Sequence, residues 1–367
     1  MKGLRKYLTP FAPDQSGAVS VLYELGGLVV ICDAGGCTGN ICGFDEPRWH
    51  THRSAIFSAG LRDMDAILGR DDKLVAELVD AADKIDARFA AIVGTPVPSV
   101  IGTDYLALRR MTEKKIDLPV LTVDTTGMEL YDVGAEKAYL SLVRRFAKEA
   151  QKTEPGRIGV FGVNPLDMSD LHAADRIRSL IPGAKCYGMG SGLDDLLAAS
   201  SAEKNVVAAP SGLRAAKYLE EKFGIPYEVR DPLAESLLPD LDYFGKRILI
   251  IDQQVRANSL RSILIERGAS AVNCASWFLM DTKRTEPGDI KLKEEDEFES
   301  LVYEGSYDFL IGDPVLWRII PNYSGELISL PQFPVSGQLG GGSGEWSSNQ
   351  THPCIWYCTR GRLPSDC

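Results

Sequence analysis

No stretch of the sequence reaches the roughly 18 consecutive apolar residues that a membrane helix needs, so no membrane span is expected. The opening residues, MKGLRKYLTPF, are basic but have no apolar core behind them. No secretory leader is expected and the chain is read as cytoplasmic. Positive charge is in deficit: 40 Lys and Arg stand against 51 Asp and Glu, a formal net charge of -11. That balance opposes binding to nucleic acid or anionic lipid, and points to small molecules and proteins as partners. Histidine is scarce, with 4 in 367 residues. No histidine or cysteine pair at compact spacing completes a tetrahedral zinc set. The phosphate-binding patterns G-x-x-x-x-G-K-[ST] and G-x-G-x-x-G do not fit the glycine-rich stretch near residue 35.

The chain has 8 cysteines, three of them in the last segment, LGGGSGEWSSNQTHPCIWYCTRGRLPSDC, from Leu339 to Cys367. A glycine-serine run followed by an aperiodic stretch reads as a tag, linker or non-native tail, and residues 339–367 are set apart from the functional reading. Cys32, Cys37, Cys42, Cys186 and Cys274 remain. An odd number in a cytoplasmic chain does not suggest a disulfide framework.

Between these ends, apolar strands alternate with helical patterns. LVVIC, FAAIVG and PVLTVD read as buried strands, while KLVAELVDAADKI and EKAYLSLVRRFAKEA carry apolar residues at helical spacing. Pro155 and Gly156 break that series. A second runs through RIGVFGVNP, AKCYGM, NVVAAP and PYEVR, and a third through RILIID, SAVNCASWF, DFLIGD and LISLPQ. The expectation is an α/β protein with three Rossmann-like domains and mainly parallel sheets: residues 1–152 with the cysteine loop, 153–243 and 244–338. Ligands of such sheets sit beyond the carboxyl ends of the strands.

The stretch GGCTGNICG, residues 35–43, follows a strand and holds Cys37 and Cys42, with Cys32 five residues before the first. Thiolates suit iron-sulfur clusters, zinc or Cu(I), and Gly35, Gly36 and Gly39 would let the backbone come close to a bulky group. Cys32 reads equally as a buried strand residue. A plain turn is the alternative for the whole loop.

LVVICDAGGC followed by AIFSAGLRDMDAILGRDDKL resembles the N-terminal domain of the nitrogenase component 1 superfamily, in which a strand leads into a Gly-Cys turn. GTPVPSVIGTD, NVVAAPSGLRAAKYLEEKFGIPY and PQFPVSG extend the resemblance over residues 8 to 338. It implies a nitrogenase-like oxidoreductase subunit that carries an oxygen-sensitive iron-sulfur cluster. Such a subunit passes low-potential electrons from an ATP-dependent reductase, similar to the nitrogenase iron protein, to a small molecule or tetrapyrrole in an interdomain cleft. The alternative within the family is a non-catalytic cofactor-assembly scaffold or metallocluster-binding protein. A third reading is a cluster-free protein holding an anionic ligand on the glycine loop.

Family members bring three cysteines per subunit to an interface cluster, and this chain matches the middle one, Cys37. The first position falls near Pro10 and Phe11 and the third near Pro96 and Val97; Cys32 stands where the family often has histidine, and Cys42 is additional. Four thiolates, Cys37 and Cys42 from each of two subunits, would hold one 4Fe-4S cluster per dimer, homomeric or with a paralogous subunit. No molybdenum-iron cofactor is expected, because VVAAPSG has no cysteine and residues 300–338 no histidine. Elsewhere, Cys186 and Cys274 read as core residues, His50 and His52 as a surface turn, and His172 as helical surface. Asp252 and Asp313 sit at strand ends, facing a cleft or capping helices. No catalytic residue is assigned.

Overall fold

The structure is a computed structural model that describes residues 5–52, 54–62, 64–65, 69–149 and 152–340. The segment set apart as a tail lies outside the described residues from residue 341 on. Three sheets form, and every pairing within them is parallel. The first has the order β2-β1-β3-β4, from β1 (Gly27–Ile31), β2 (Ala55–Ser58), β3 (Phe89–Val93) and β4 (Val120–Val123). The second has the order β6-β5-β7-β8, from β5 (Ile158–Phe161), β6 (Ala184–Cys186), β7 (Lys204–Val207) and β8 (Tyr227–Val229). The third has the order β11-β10-β9-β12-β13, from β9 (Arg247–Ile251), β10 (Ala271–Ser276), β11 (Ile290–Lys291), β12 (Phe309–Gly312) and β13 (Glu326–Ser329). The α/β class with parallel sheets is the expected one. Strands covered on both faces must be apolar throughout, and the central strands β1, β3 and β5 are buried at every residue. Among the described residues no helix is long and apolar enough to cross a membrane.

Among the elements that escape the sequence patterns, two do so for opposite reasons. Strand β2 is a short edge strand with one buried residue. Helix α1 (Asp14–Leu22) is buried at all nine positions and has no polar face for a periodicity to reveal. It lies against helix Tyr131–Phe146. A Cβ on Gly17 would fall 1.8 Å from the Tyr131 carbonyl oxygen, and one on Gly134 would fall 1.7 Å from that of Asp14. Backbone against backbone at that distance admits no side chain.

The N-terminal arm ties the first unit to the third. The Glu295 carboxylate accepts from the N–H groups of Lys6, Tyr7 and Leu8. Phe11 packs between Trp277 and Phe278, with ring centroids 5.7 and 6.0 Å away, and the Ala12 N–H donates to the Pro334 carbonyl at 2.9 Å.

Cys186 and Cys274 are buried core residues, and burial pushes both thiols up to about 12. They should differ on replacement. Serine at 186, among Val160, Ile177 and Met189, would bury a hydroxyl with no partner and cost about 1–3 kcal/mol. Serine at 274 would lie near the Arg261 guanidinium, whose buried Nε has no hydrogen-bond partner, so its loss should be smaller. Urea unfolding of the two variants checks the order.

Candidate functional site

The chain leaves β1 at its carboxyl end. The Cys32 N–H still donates to the Val93 carbonyl at 2.9 Å, so Cys32 continues the strand and its thiol enters the core of Leu28, Val30, Leu74 and Val75. Burial, with Asp33 and Asp71 adding to it, pushes that thiol up to about 12. Asp33 turns the chain. Its carboxylate accepts from the Thr38 N–H at 2.8 Å, the Thr38 hydroxyl at 2.9 Å and the Ser58 hydroxyl at 2.6 Å. Gly35 then adopts φ +115°, a conformation that favours glycine, and helix α2 (Gly36–Asn40) begins.

That helix widens. Residues Ile41–Asp45 form a π turn, closed by the Glu46 N–H donating to the Ile41 carbonyl at 2.9 Å. In a regular α-helix two residues five apart stand about 140° apart around the axis. A wider turn reduces that angle, and the half-buried Cys37 and Cys42 pack on the same core, which contains α1 residues Val19 and Leu22. Cys32 points into the opposite core. The structure therefore sets two of the three loop cysteines against one core and the third in the core on the other face of the sheet.

Both thiols of the pair lie above their ordinary range. Partial burial is the main cause at Cys37, with Asp33 adding to it and a hydrogen bond with Thr95 opposing it. Partial burial, then Glu46 and Asp33, act at Cys42. Metal binding reverses this, because a cation repays the loss of the thiol protons. Among the described residues no group of three or more His, Cys, Asp or Glu side chains is arranged to hold a metal ion. Cys37 and Cys42 are thus two half-buried thiols without a third such side chain grouped with them among the described residues. Their surroundings suit a bulky group: a Cβ on Gly36, Gly39 or Gly43 would meet no atom within 4 Å.

The loops after β3 and β4 stand beside the pair. Thr95, which touches Cys37, also donates to the Cys32 carbonyl at 2.6 Å, and Pro96 lies against Gly127. The third family position is therefore next to Cys37 without a thiol, while the first, near Phe11, is spent on packing against Trp277 and Phe278. Phe44 on the π turn, Val97, Val100 and Ile101 after β3, and Met128 after β4 have exposed side chains, Val100 to 80% and Met128 to 75%. Apolar residues clustered on the surface mark contact sites. His50, His52 and His172 are exposed.

The junction of the three units carries a second polar set, of which only Asp252 stood out in the sequence. Asp132 comes from the first unit, Asp167 from the second and Asp252 from the third, all buried. Asp167 accepts from the Asn164 amide at 2.5 Å and the Ser211 hydroxyl at 2.8 Å, and it lies beside the Tyr131 hydroxyl. Asp132 accepts from the Leu279 N–H. Asp252 lies 3.8 Å from Arg256, whose Nε donates to Asp231 at 2.7 Å. Burial raises Asp167 to about 7, and Asp132 and Asp252 to about 6. Asp313, by contrast, caps helix Pro314–Ile319 through the Val315 N–H and accepts from Gln332 and Ser336.

A family model described as nitrogenase component 1 type oxidoreductase matches residues 15–234. The nitrogenase iron-molybdenum cofactor biosynthesis protein NifE of Clostridium pasteurianum is 28% identical over 180 residues, 47% of this chain and 38% of that protein. A light-independent protochlorophyllide reductase component of Chloroflexus aurantiacus is 28% identical over 158 residues, 40% of this chain and 28% of that protein. The aligned regions thus span well under half of these relatives. The solved structure "Nitrogenase Cp1 at pH 6.5" has a TM-score of 0.72 at 14% identity, over 93% of this chain and 89% of that one. That likeness concerns the fold.

Proposed function

The chain belongs to the nitrogenase component 1 type oxidoreductase family, and from that premise we propose that it is a cluster-bearing redox subunit. Cys37 and Cys42 of one copy face the same pair of a second copy, or cysteines of a paralogous partner, and the four thiolates hold one 4Fe-4S cluster. Gly35, Gly36 and Gly39 leave room for it, and the exposed apolar side chains of the adjoining loops bury against the partner. Such a cluster supplies one-electron transfer at low potential. The electron donor is an ATP-dependent iron-sulfur reductase, and the acceptor is a small molecule or tetrapyrrole admitted between the domains. Cys32 stays in the core. The observation that carries this reading is the pair of half-buried cysteines, Cys37 on α2 and Cys42 on the π turn that follows it, beyond the carboxyl end of a parallel sheet.

A second reading, a cofactor-assembly scaffold, draws support from the similarity to NifE. Substrate turnover with a reductase and ATP separates the two.

Iron and sulfide analysis of anaerobically purified protein tests what both share. About four irons per pair of subunits are expected, and the iron should follow the dimer on size exclusion. Less than about one iron per pair overturns the cluster.

A further inference from the structure

Arg48 belongs neither to the cysteine pair nor to the junction, and the proposed chemistry gives it no task. It is nonetheless 5% exposed, and all five of its side-chain N–H groups are engaged. Nε donates to Glu46 Oε1 at 2.7 Å, and Nη2 to Glu46 Oε2 at 2.7 Å and the Ser20 carbonyl at 2.7 Å. Nη1 donates to Glu24 Oε1 at 2.8 Å and the Gly188 carbonyl at 3.0 Å. The Tyr23 ring covers the guanidinium at 4.6 Å.

These partners come from three places. Glu46 closes the π turn that carries Cys42, and Ser20 belongs to α1. Gly188 lies in the loop after β6, in the second sheet, and Glu24 reaches the same loop with its other oxygen, accepting from the Gly190 N–H at 2.6 Å. That loop is itself held close: Gly188 has φ +99°, and a Cβ there would fall 2.7 Å from the Tyr139 hydroxyl.

We propose that Arg48 is a positioning residue for the cysteine pair, tying the turn that carries Cys42 to the loop after β6. A shift of the second sheet against the first then moves Cys42 relative to Cys37. The contacts favour transmission over breakage. A buried guanidinium with a two-point grip on a carboxylate holds its geometry, and releasing Glu46 would leave a buried charge unpaired. The π turn, with its looser hydrogen-bond pattern, is the part that gives. The consequence for a cluster rests on the functional reading above, whereas the mechanical tie does not.

Glu24→Gln in the full chain tests the tie. The amide keeps an oxygen for Arg48 but has no second acceptor for the Gly190 N–H, and the grip on Glu46 stays intact. Hydrogen exchange of the amides from Ile41 to Glu46 is expected to quicken roughly tenfold, with the β9 and β12 amides unchanged. Arg48→Lys, which keeps the charge but not the fork, should change the same amides in the same direction. Unchanged exchange over residues 41–46 in Glu24→Gln, or equal quickening in β9 and β12, overturns the proposal.

The cluster-level readout uses anaerobically prepared protein. Glu24→Gln should retain its iron yet show a shifted electron paramagnetic resonance spectrum when reduced. A spectrum identical to wild type, with full iron content, overturns positioning of the pair. Iron missing from both proteins defeats the cluster reading instead, and the exchange comparison still decides on Arg48.

Discussion

Serine at both Cys37 and Cys42 is expected to remove iron and sulfide from the protein, from about four irons per pair of subunits to fewer than one. A hydroxyl is a hard, weakly acidic ligand, whereas iron in such clusters is held by thiolate. The fold should survive. Both side chains are half-buried at a helical turn, where a swap of sulfur for oxygen leaves the hydroxyl access to water, and the expected loss of stability is within about 1 kcal/mol. Cys32→Ser should behave in the opposite way, keeping iron while losing about 1–3 kcal/mol for a hydroxyl placed among Leu28, Val30 and Val75. Iron content, the broad sulfide-to-iron absorption and urea unfolding, compared across the three proteins, check both halves. Full iron in the double variant would make the glycine loop a structural turn.

The second large effect concerns pH. Asp167 is fully buried and held near 7, so between its ordinary value of 3.8 and about 7 the folded protein keeps a proton that the unfolded chain has released. Stability then falls with rising pH, by about 1.4 kcal/mol per unit for this one group, and levels off above 7. The contribution is fully present below 3.8 and lost as pH climbs through the folded value. Asp167→Asn mimics the protonated acid: its oxygen still accepts from Ser211 and Asn164, and its amide replaces the proton. At pH 8 the variant should be more stable than wild type by roughly 2–4 kcal/mol, and at pH 4 nearly equal to it. Urea unfolding at several pH values gives the difference directly. Parallel curves for the two proteins would mean that Asp167 stays ionised in the fold.

Much of the fold is legible because parallel strands covered on both faces must be apolar end to end. FAAIVG and RILIID therefore announce themselves with no help from context. The cysteine turn is legible for a different reason, since two thiols among glycines cannot be core residues. What stays hidden depends on distance in the chain. Thr95 lies beside Cys37 only because β3 pairs with β1, and no local pattern around residue 95 contains that fact. Asp132 and Asp167 look like ordinary helix-start residues in sequence. They become a proton-holding set when three units close on Tyr131. Arg48 likewise reads as a surface charge in the segment DEPRWHTH, until Ser20, Glu24 and Gly188 are placed around it. The residue range of each domain rests on the break at Pro155 and Gly156 and on the start of the third strand series at RILIID, and limited proteolysis would give those borders independently.

The grip of Glu295 on the N–H groups of Lys6, Tyr7 and Leu8 has a consequence for the making of the protein. The acceptor is synthesised 289 residues after the donor at Lys6, which at 5–20 residues per second is a delay on the order of 15–60 s. Helix α1 can dock as soon as Phe146 has left the ribosome, but the arm ahead of it has no resting place until the third sheet exists. During that interval Leu8 and Phe11 are bare apolar side chains beside a nascent parallel sheet, the kind of surface that chaperones cover. The arm is thus made before α1 and settles after it.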